Sequence, residues 1–221
     1  MSSRTFMHDR VRADRYFASF SFACRRMRSH AAQHRIIIRM MIPAHDNHDN
    51  HDNHDIDQRR ERAVDETWYT RPAGVPDRVS AGGFVARLVN GRIMIAFARE
   101  GDFESLVVPK GGVDSGETVE DAAKREIEEE LGVPAADLET LAKLGSCARL
   151  THDKRRWVTV HYFLFRTESA GGAPTDTGRH WHAPTWVPLD DPPALFWPEQ
   201  TALLLDNAQR IRELMLARPN A

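Results

Sequence analysis

Three glutamates, Glu126, Glu129 and Glu130, crowd into the run KREIEEELG (124–132). On a helix turning 100° per residue, Glu130 and Glu129 fall about 40° and about 60° to either side of Glu126. Val119, Ala122 and Ala123 lie along the same line, so the carboxylates continue a small apolar face that packs inward. Glu120, Asp121, Lys124 and Glu128 take the opposite, solvated side. A solvated face with i,i+4 pairs accounts for Lys124 and Glu128 but fails for Glu126 and Glu130. Carboxylates gathered on a half-buried face repel one another and lose hydration unless a cation sits among them. Hard oxygen donors select Mg²⁺ or Mn²⁺. Such an ion offsets the charge of a diphosphate, polarises phosphorus and makes bound water a nucleophile near neutral pH. A carboxylate left partly free can take that water's proton.

Ahead of this segment, Pro109-Lys110-Gly111-Gly112 reads as a loop leading to a helix N-terminus. There glycines let the backbone approach a phosphate, and the loop amides and helix dipole favour an anion. Arg78 and Arg87 flank the first strand and read either as phosphate-reaching or as surface residues. Lys154-Arg155-Arg156 is either a grip for a long polyphosphate or a solvated hairpin tip. His161 shares a strand face with Trp157, Thr159 and Phe163 and reads as a core histidine with a satisfied partner.

Gly111 to Val133, GGVDSGETVEDAAKREIEEELGV, resembles the Nudix box, G-x5-E-x7-R-E-U-x-E-E-x-G-U with U aliphatic. It matches at Gly111, Glu117, Arg125, Glu126, Ile127, Glu129, Glu130, Gly132 and Val133. The resemblance runs over roughly Ser80 to Leu216, with WVTVHYFLF (157–165) and TWVPLDD (185–191) inside it. It implies an α/β/α sandwich with a mixed central sheet. It also implies Mg²⁺- or Mn²⁺-dependent hydrolysis of a nucleoside diphosphate, or an analogous phosphoanhydride, linked to another group. By that resemblance Arg125 is structural and pairs with box glutamates such as Glu117. Glu126 and Glu130 hold the metal, and Glu129 acts as base or shares a second ion, roles that relatives divide differently. A backbone carbonyl at Lys110 or Gly111 completes the metal shell.

The PKGG sequence before Asp114 is similar to the version in diadenosine and diphosphoinositol polyphosphate hydrolases, so Lys110, Gly111, Gly112 and Arg78 are the candidate substrate-binding residues. Two departures stand out. Diadenosine hydrolases often carry a tyrosine where this chain has Leu150. His180 and His182 precede Trp186 where many relatives have an extra acidic residue, which leaves the source of a further ligand or base open.

The elements that must position these groups are legible in outline. Ala81–Val89 and Arg92–Ala98 are apolar-rich runs separated by Asn90-Gly91, a strong hairpin signal. Leu106 to Val108 reads as a short strand ending at Pro109. A helix is expected over Thr118–Leu131, with Thr118 as N-cap, Asp121 as capping-box partner and Gly132 closing it. Leu138–Ala148, Trp157–Arg166 and Trp181–Pro188 read as strands. Leu204, Ala208, Ile211 and Met215 form the packed stripe of a last helix, Glu199–Leu216. The expected class is α/β, a mixed sheet between helices.

Residues 66–221 are read as this one domain, and residues 1–65 as a disordered leader. The leader's first 40 residues are Arg-rich, lack lysine and have only Asp9 and Asp14 as acids. They fit an organelle transit peptide or a poorly ordered upstream stretch, including a start misassigned ahead of Met40 or Met41. The His-Asp-Asn repeat that follows (45–55) has no apolar residue with which to fold.

The net charge of −2 gives no field that would draw nucleic acid or a membrane surface. Cys24 and Cys147 lie far apart without metal spacing, which favours a reducing, cytoplasmic setting. The expected partner is a small-molecule polyphosphate, and a homodimer is allowed. The leading reading is hydrolysis of a diadenosine or diphosphoinositol polyphosphate. Alternatives are a (d)NTP or nucleotide-sugar pyrophosphohydrolase, an RNA 5′-pyrophosphohydrolase, and a non-catalytic Nudix binding module. Non-catalytic relatives usually lose box glutamates, and this chain keeps them.

Overall fold

The computed structural model describes residues 64–179 and 181–217. The leader to residue 63, Cys24 and His180 therefore lie outside the described residues. The described residues begin at Val64. Val64 packs against a cluster of Trp68, Leu150 and Trp197. Asp65 caps a 3₁₀ turn, Glu66–Tyr69, by accepting from the Thr67 N–H.

Six strands form one sheet: β1 Asp77–Val89, β2 Arg92–Phe97, β3 Lys110–Gly112, β4 Glu139–Leu150, β5 Trp157–Arg166 and β6 Thr185–Pro188. Their order is β4-β5-β1-β2-β6, with β3 also paired to β1. Only β1 and β5 run parallel, so the sheet is mixed, as expected. The β1–β2 turn sits on Asn90 (φ 50°) and Gly91 (φ 79°), the positive-φ pair that a tight hairpin requires.

The main difference from the sequence reading lies before the helix. Leu106 to Val108 contributes only an isolated bridge, Val107 to Ala98. The strand is Lys110–Gly112 instead, pairing antiparallel with Ser80–Gly82. Gly82 has no Cβ to meet Pro109 and Lys110, so the two backbones approach closely, where apolar content alone pointed four residues upstream.

Two helices follow, α1 Val119–Leu131 and α2 Pro198–Leu216. The Thr118 hydroxyl accepts from the Asp121 N–H at 3.1 Å and donates to its carboxylate at 2.6 Å. Gly132 ends α1 in the left-handed region at φ 61°. The helices cover opposite faces of the sheet. Ala81, Val85, Phe163 and Phe165 share a buried cluster with Ala122, Ala123, Ile127 and Leu131 of α1. Side chains alternate along a strand, so Phe84 and Tyr162 face the other way. There the Gln200 amide of α2 donates to the Tyr162 hydroxyl at 3.2 Å. This is the α/β/α sandwich implied by the resemblance.

Burying Ile127 and Leu131 contributes about 1.5–3 kcal/mol each. That anchorage helps offset the cost of holding Glu126 and Glu130 against the sheet.

Candidate active site

Because α1 is pinned by its apolar residues, the two carboxylates on that face, Glu126 and Glu130, are held away from water. Glu126 is 9% exposed and Glu130 6%. Glu126 lies on the backbone of β3: a Cβ on Gly111 would coincide with its carboxylate, so a larger residue there would have to displace that side chain. Glu130 accepts from the Lys110 N–H at 3.2 Å. The glycine segment therefore works as a strand edge against the helix, where a cradling loop had been expected.

Arg125 ties the rest together. Its Nε and Nη2 donate to the two oxygens of Glu117 at 3.0 Å each. Nη1 donates to Glu126 at 2.8 Å and to both Glu129 oxygens at 3.3 Å. Nη2 also donates to the Gly112 carbonyl at 2.7 Å. Glu117 accepts from the Asp114 N–H at 3.1 Å, which closes the loop between β3 and α1.

One guanidinium thus serves three carboxylates, and a fourth stands one turn away. Burial pushes the Glu126 carboxyl above the usual carboxylate range, although Arg125 opposes the shift. Glu130 is pushed up to about 8, again mainly by burial. Glu117 is held low by Arg125. For Glu126 and Glu130 burial thus outweighs the opposing charges of Arg125 and Lys110. Among the described residues no three His, Cys, Asp or Glu side chains are grouped closely enough to hold a metal unaided. The fit of a divalent cation rests on the buried, proton-hungry pair of hard oxygen donors.

The structure brings Glu117, Arg125, Glu126, Glu129 and Glu130 together with Lys110, Gly111, Gly112 and Arg78. Arg78 arrives from β1, its Nη2 2.5 Å from where a Cβ on Gly112 would stand. Lys110 is depressed below the usual lysine range, first by burial and then by the positive charge of Arg149.

The solvated side expected for α1 is less open than its sequence implied. Glu128 is half-buried and accepts from the Ala135 N–H at 3.3 Å, because a 3₁₀ turn, Ala135–Asp137, folds back over the helix end. Glu120 accepts from the Thr140 hydroxyl at 2.6 Å.

Other candidates lie elsewhere. The Lys154 ammonium sits 4.4 Å over the Trp68 ring, and Arg155 and Arg156 are exposed beside it at a hairpin tip. Arg87 stacks on Trp186 at 4.3 Å. His182 meets the Gly101 carbonyl at 2.6 Å. His161 does not fit the expectation of a satisfied core histidine, because its buried Nδ1 has no hydrogen-bond partner.

Sequence reasoning also missed a buried ion pair under α2. Arg149 Nε donates to Glu199 at 2.7 Å, and both residues are almost fully buried. These two lie 50 residues apart, and no local pattern links them.

Residues 76–207 match the family described as NUDIX domain. The chain belongs to this family. Among curated proteins it is 35% identical over 92 residues to the oxidized purine nucleoside triphosphate hydrolase of Mus musculus, which covers 41% of this chain and 54% of that one. It is 47% identical over 64 residues to the 8-oxo-dGTP diphosphatase of Haemophilus influenzae, covering 28% and 46%. Against the RNA pyrophosphohydrolase of Rhodospirillum rubrum it is 43% identical over 76 residues, covering 33% and 44%. The chain thus spans about half the length, or less, of the curated relatives it matches. The fold is similar to that of an Ap4A hydrolase from C. elegans in a binary complex, with a TM-score of 0.51 and 20% identity over 61% of this chain and 98% of that one. Within the Nudix domain, the box helix is α1.

Proposed function

We propose that the chain is a hydrolase that needs Mg²⁺ or Mn²⁺ and cleaves a phosphoanhydride bond in a small-molecule polyphosphate, with diadenosine and diphosphoinositol polyphosphates as the leading substrates. The observation that carries the reading is the buried pair, Glu126 and Glu130, pressed against the Lys110–Gly112 strand, with Arg125 divided between Glu126 and two other carboxylates and burial still raising both.

Glu126 and Glu130 would hold the ion. When bound, it would offset diphosphate charge and supply an acidified water. Glu129 is half-exposed and shares only long contacts with Arg125, which leaves it free to take a proton from the attacking water. Arg125 keeps Glu126 and Glu129 oriented and fixes β3 through the Gly112 carbonyl. Lys110 and Arg78 supply positive charge beside the same strand and would orient phosphate oxygens.

The polyphosphate preference is supported by PKGG and by cations gathered near β3. A second reading, hydrolysis of (d)NTPs or of RNA 5′ ends, is favoured by the activities that name the curated relatives. No helix among the described residues is long and apolar enough to cross a membrane. A cytoplasmic setting follows the thiol chemistry and is part of this proposal. The test is a screen of diadenosine tetraphosphate, a diphosphoinositol polyphosphate, 8-oxo-dGTP, ADP-ribose and triphosphorylated RNA with Mg²⁺ and Mn²⁺, with released products measured. Turnover only of the long polyphosphates is the expected result. Turnover confined to 8-oxo-dGTP or RNA would replace it with the second reading.

A further inference from the structure

Arg149, the penultimate residue of β4, lies opposite Val158 of β5, whose other neighbour is Arg78 of β1. Strand alternation puts this row on the α2 face, with Tyr162 and Gly82. Lys110 pairs with Gly82 and so starts from the same face. Arg149 is 2% exposed, and its Cζ lies 3.2 Å from the centroid of the Trp197 ring. Nε donates to Glu199, and Nη1 donates to the Leu150 carbonyl at 2.9 Å. Nη2 is buried and has no partner.

The nearby acceptors are already in use. The second Glu199 oxygen takes the Tyr69 hydroxyl at 2.5 Å, and the Gln200 carbonyl oxygen takes the Val108 N–H at 3.0 Å. The Lys110 ammonium makes no side-chain hydrogen bond among the described residues, although the charges of Glu130 and Glu126 act on it. Three cations therefore gather near β3 while the one carboxylate beside Arg149 is fully committed. A buried charged donor left unpaired is costly and rare in native structures. Stacking, Glu199 and Leu150 preorganise the guanidinium, and the two-pronged fork suits a phosphate.

We propose that Arg149, Lys110 and Arg78 form a phosphate-binding subsite that takes a substrate phosphate beyond those flanking the scissile bond, with Arg149 determining specificity for polyphosphates. The inference rests on the hydrolase reading above and deepens it.

The subsite can be tested without the metal. The full chain in EDTA is titrated with inorganic tripolyphosphate and, separately, pyrophosphate by calorimetry. Tripolyphosphate should bind more tightly than pyrophosphate. Arg149→Met and Lys110→Met should each weaken it by at least about tenfold, the equivalent of one charge-assisted hydrogen bond. Arg149→Lys, which keeps the charge but loses the fork, should recover only part of the loss. Glu126→Gln should bind tripolyphosphate at least as well as the parent, since it removes a repelling charge. Parental affinity in a folded Arg149→Met protein overturns the subsite. If that variant does not fold, Lys110→Met and Arg78→Gln decide, and parental affinity in both overturns it. Failure of the parent to bind tripolyphosphate does the same. If binding depends on Arg149 but no phosphoanhydride is turned over with Mg²⁺ or Mn²⁺, the subsite stands and the hydrolase reading falls.

Discussion

Two groups of buried charges flank this sheet, and they are built on opposite plans. Under α2, Arg149 and Glu199 neutralise each other, and Tyr69 and Trp197 complete their surroundings. Against α1, Glu126 and Glu130 are like charges that share one guanidinium and a backbone N–H. An ion pair is nearly self-sufficient. Paired carboxylates in low dielectric are not, and both are driven toward protonation. The α2 pair balances its charge within the fold and leaves one Arg149 donor over, whereas the α1 carboxylates leave their charge itself unbalanced.

The largest effect expected is on turnover. Glu126→Gln and Glu130→Gln should each lower kcat by roughly 10²–10⁴-fold, while the melting temperature in EDTA holds or rises. Glu128→Gln loses only its bond to the Ala135 N–H and should keep most of its activity. An equal loss at Glu128, measured on the same substrate, would mean that burial on α1 does not mark the site.

The opposite pattern is expected under α2. Glu199→Ala strands Arg149 and should cost about 3–5 kcal/mol of stability, read as a fall in the denaturation midpoint. If stability is unchanged, the pair is not the self-sufficient element that the contrast requires.

Much of this contrast was legible in the chain, for reasons that differ by element. The α1 carboxylates were readable because helix period, cap residues and box spacing are all local. So were the Asn90-Gly91 hairpin and the Leu204–Met215 stripe. The β3 strand was not, since Lys110-Gly111-Gly112 has no strand-forming side chains. It exists because Gly82 and Gly111 admit a close backbone and the Glu126 carboxylate. Arg149 was hidden for another reason: its partners, Glu199 and Trp197, come from the far end of the chain. The half-burial of Glu128 depends on a turn beyond the helix, which periodicity does not register.

Acidity sharpens the comparison further. The folded Glu130 carboxyl lies at about 8, above its ordinary 4.5, and Glu126 shifts in the same direction. The folded protein therefore binds these protons more tightly than the unfolded chain. That stabilisation is complete below the ordinary value and is lost as pH rises toward 8. The metal-free melting temperature should fall between about pH 5 and about pH 7.5, and Glu130→Gln should flatten the decline. A slope unaltered by the substitution would place its origin elsewhere.

The smallest effect is expected at the hairpin tip. Neutralising Lys154, Arg155 and Arg156 together removes exposed charges and one contact with Trp68. Such charges contribute about 0–1 kcal/mol each. Loss of kcat/KM for a long polyphosphate should stay within about tenfold, well short of the loss in Arg149→Met. A larger loss at the tip would move the phosphate grip from the buried cations to the exposed ones.

The central claim is that Glu126 and Glu130 are buried together in order to hold a divalent cation. Its most direct test is the melting temperature of the full chain at about pH 7.5, measured in EDTA and then with increasing Mn²⁺, for the parent and for the Glu126→Gln/Glu130→Gln double variant. The account predicts a saturable Mn²⁺-dependent rise in the parent. It also predicts a double variant that starts higher in EDTA and gains nothing from Mn²⁺. A parent that does not respond, or a double variant that gains as much, would contradict it.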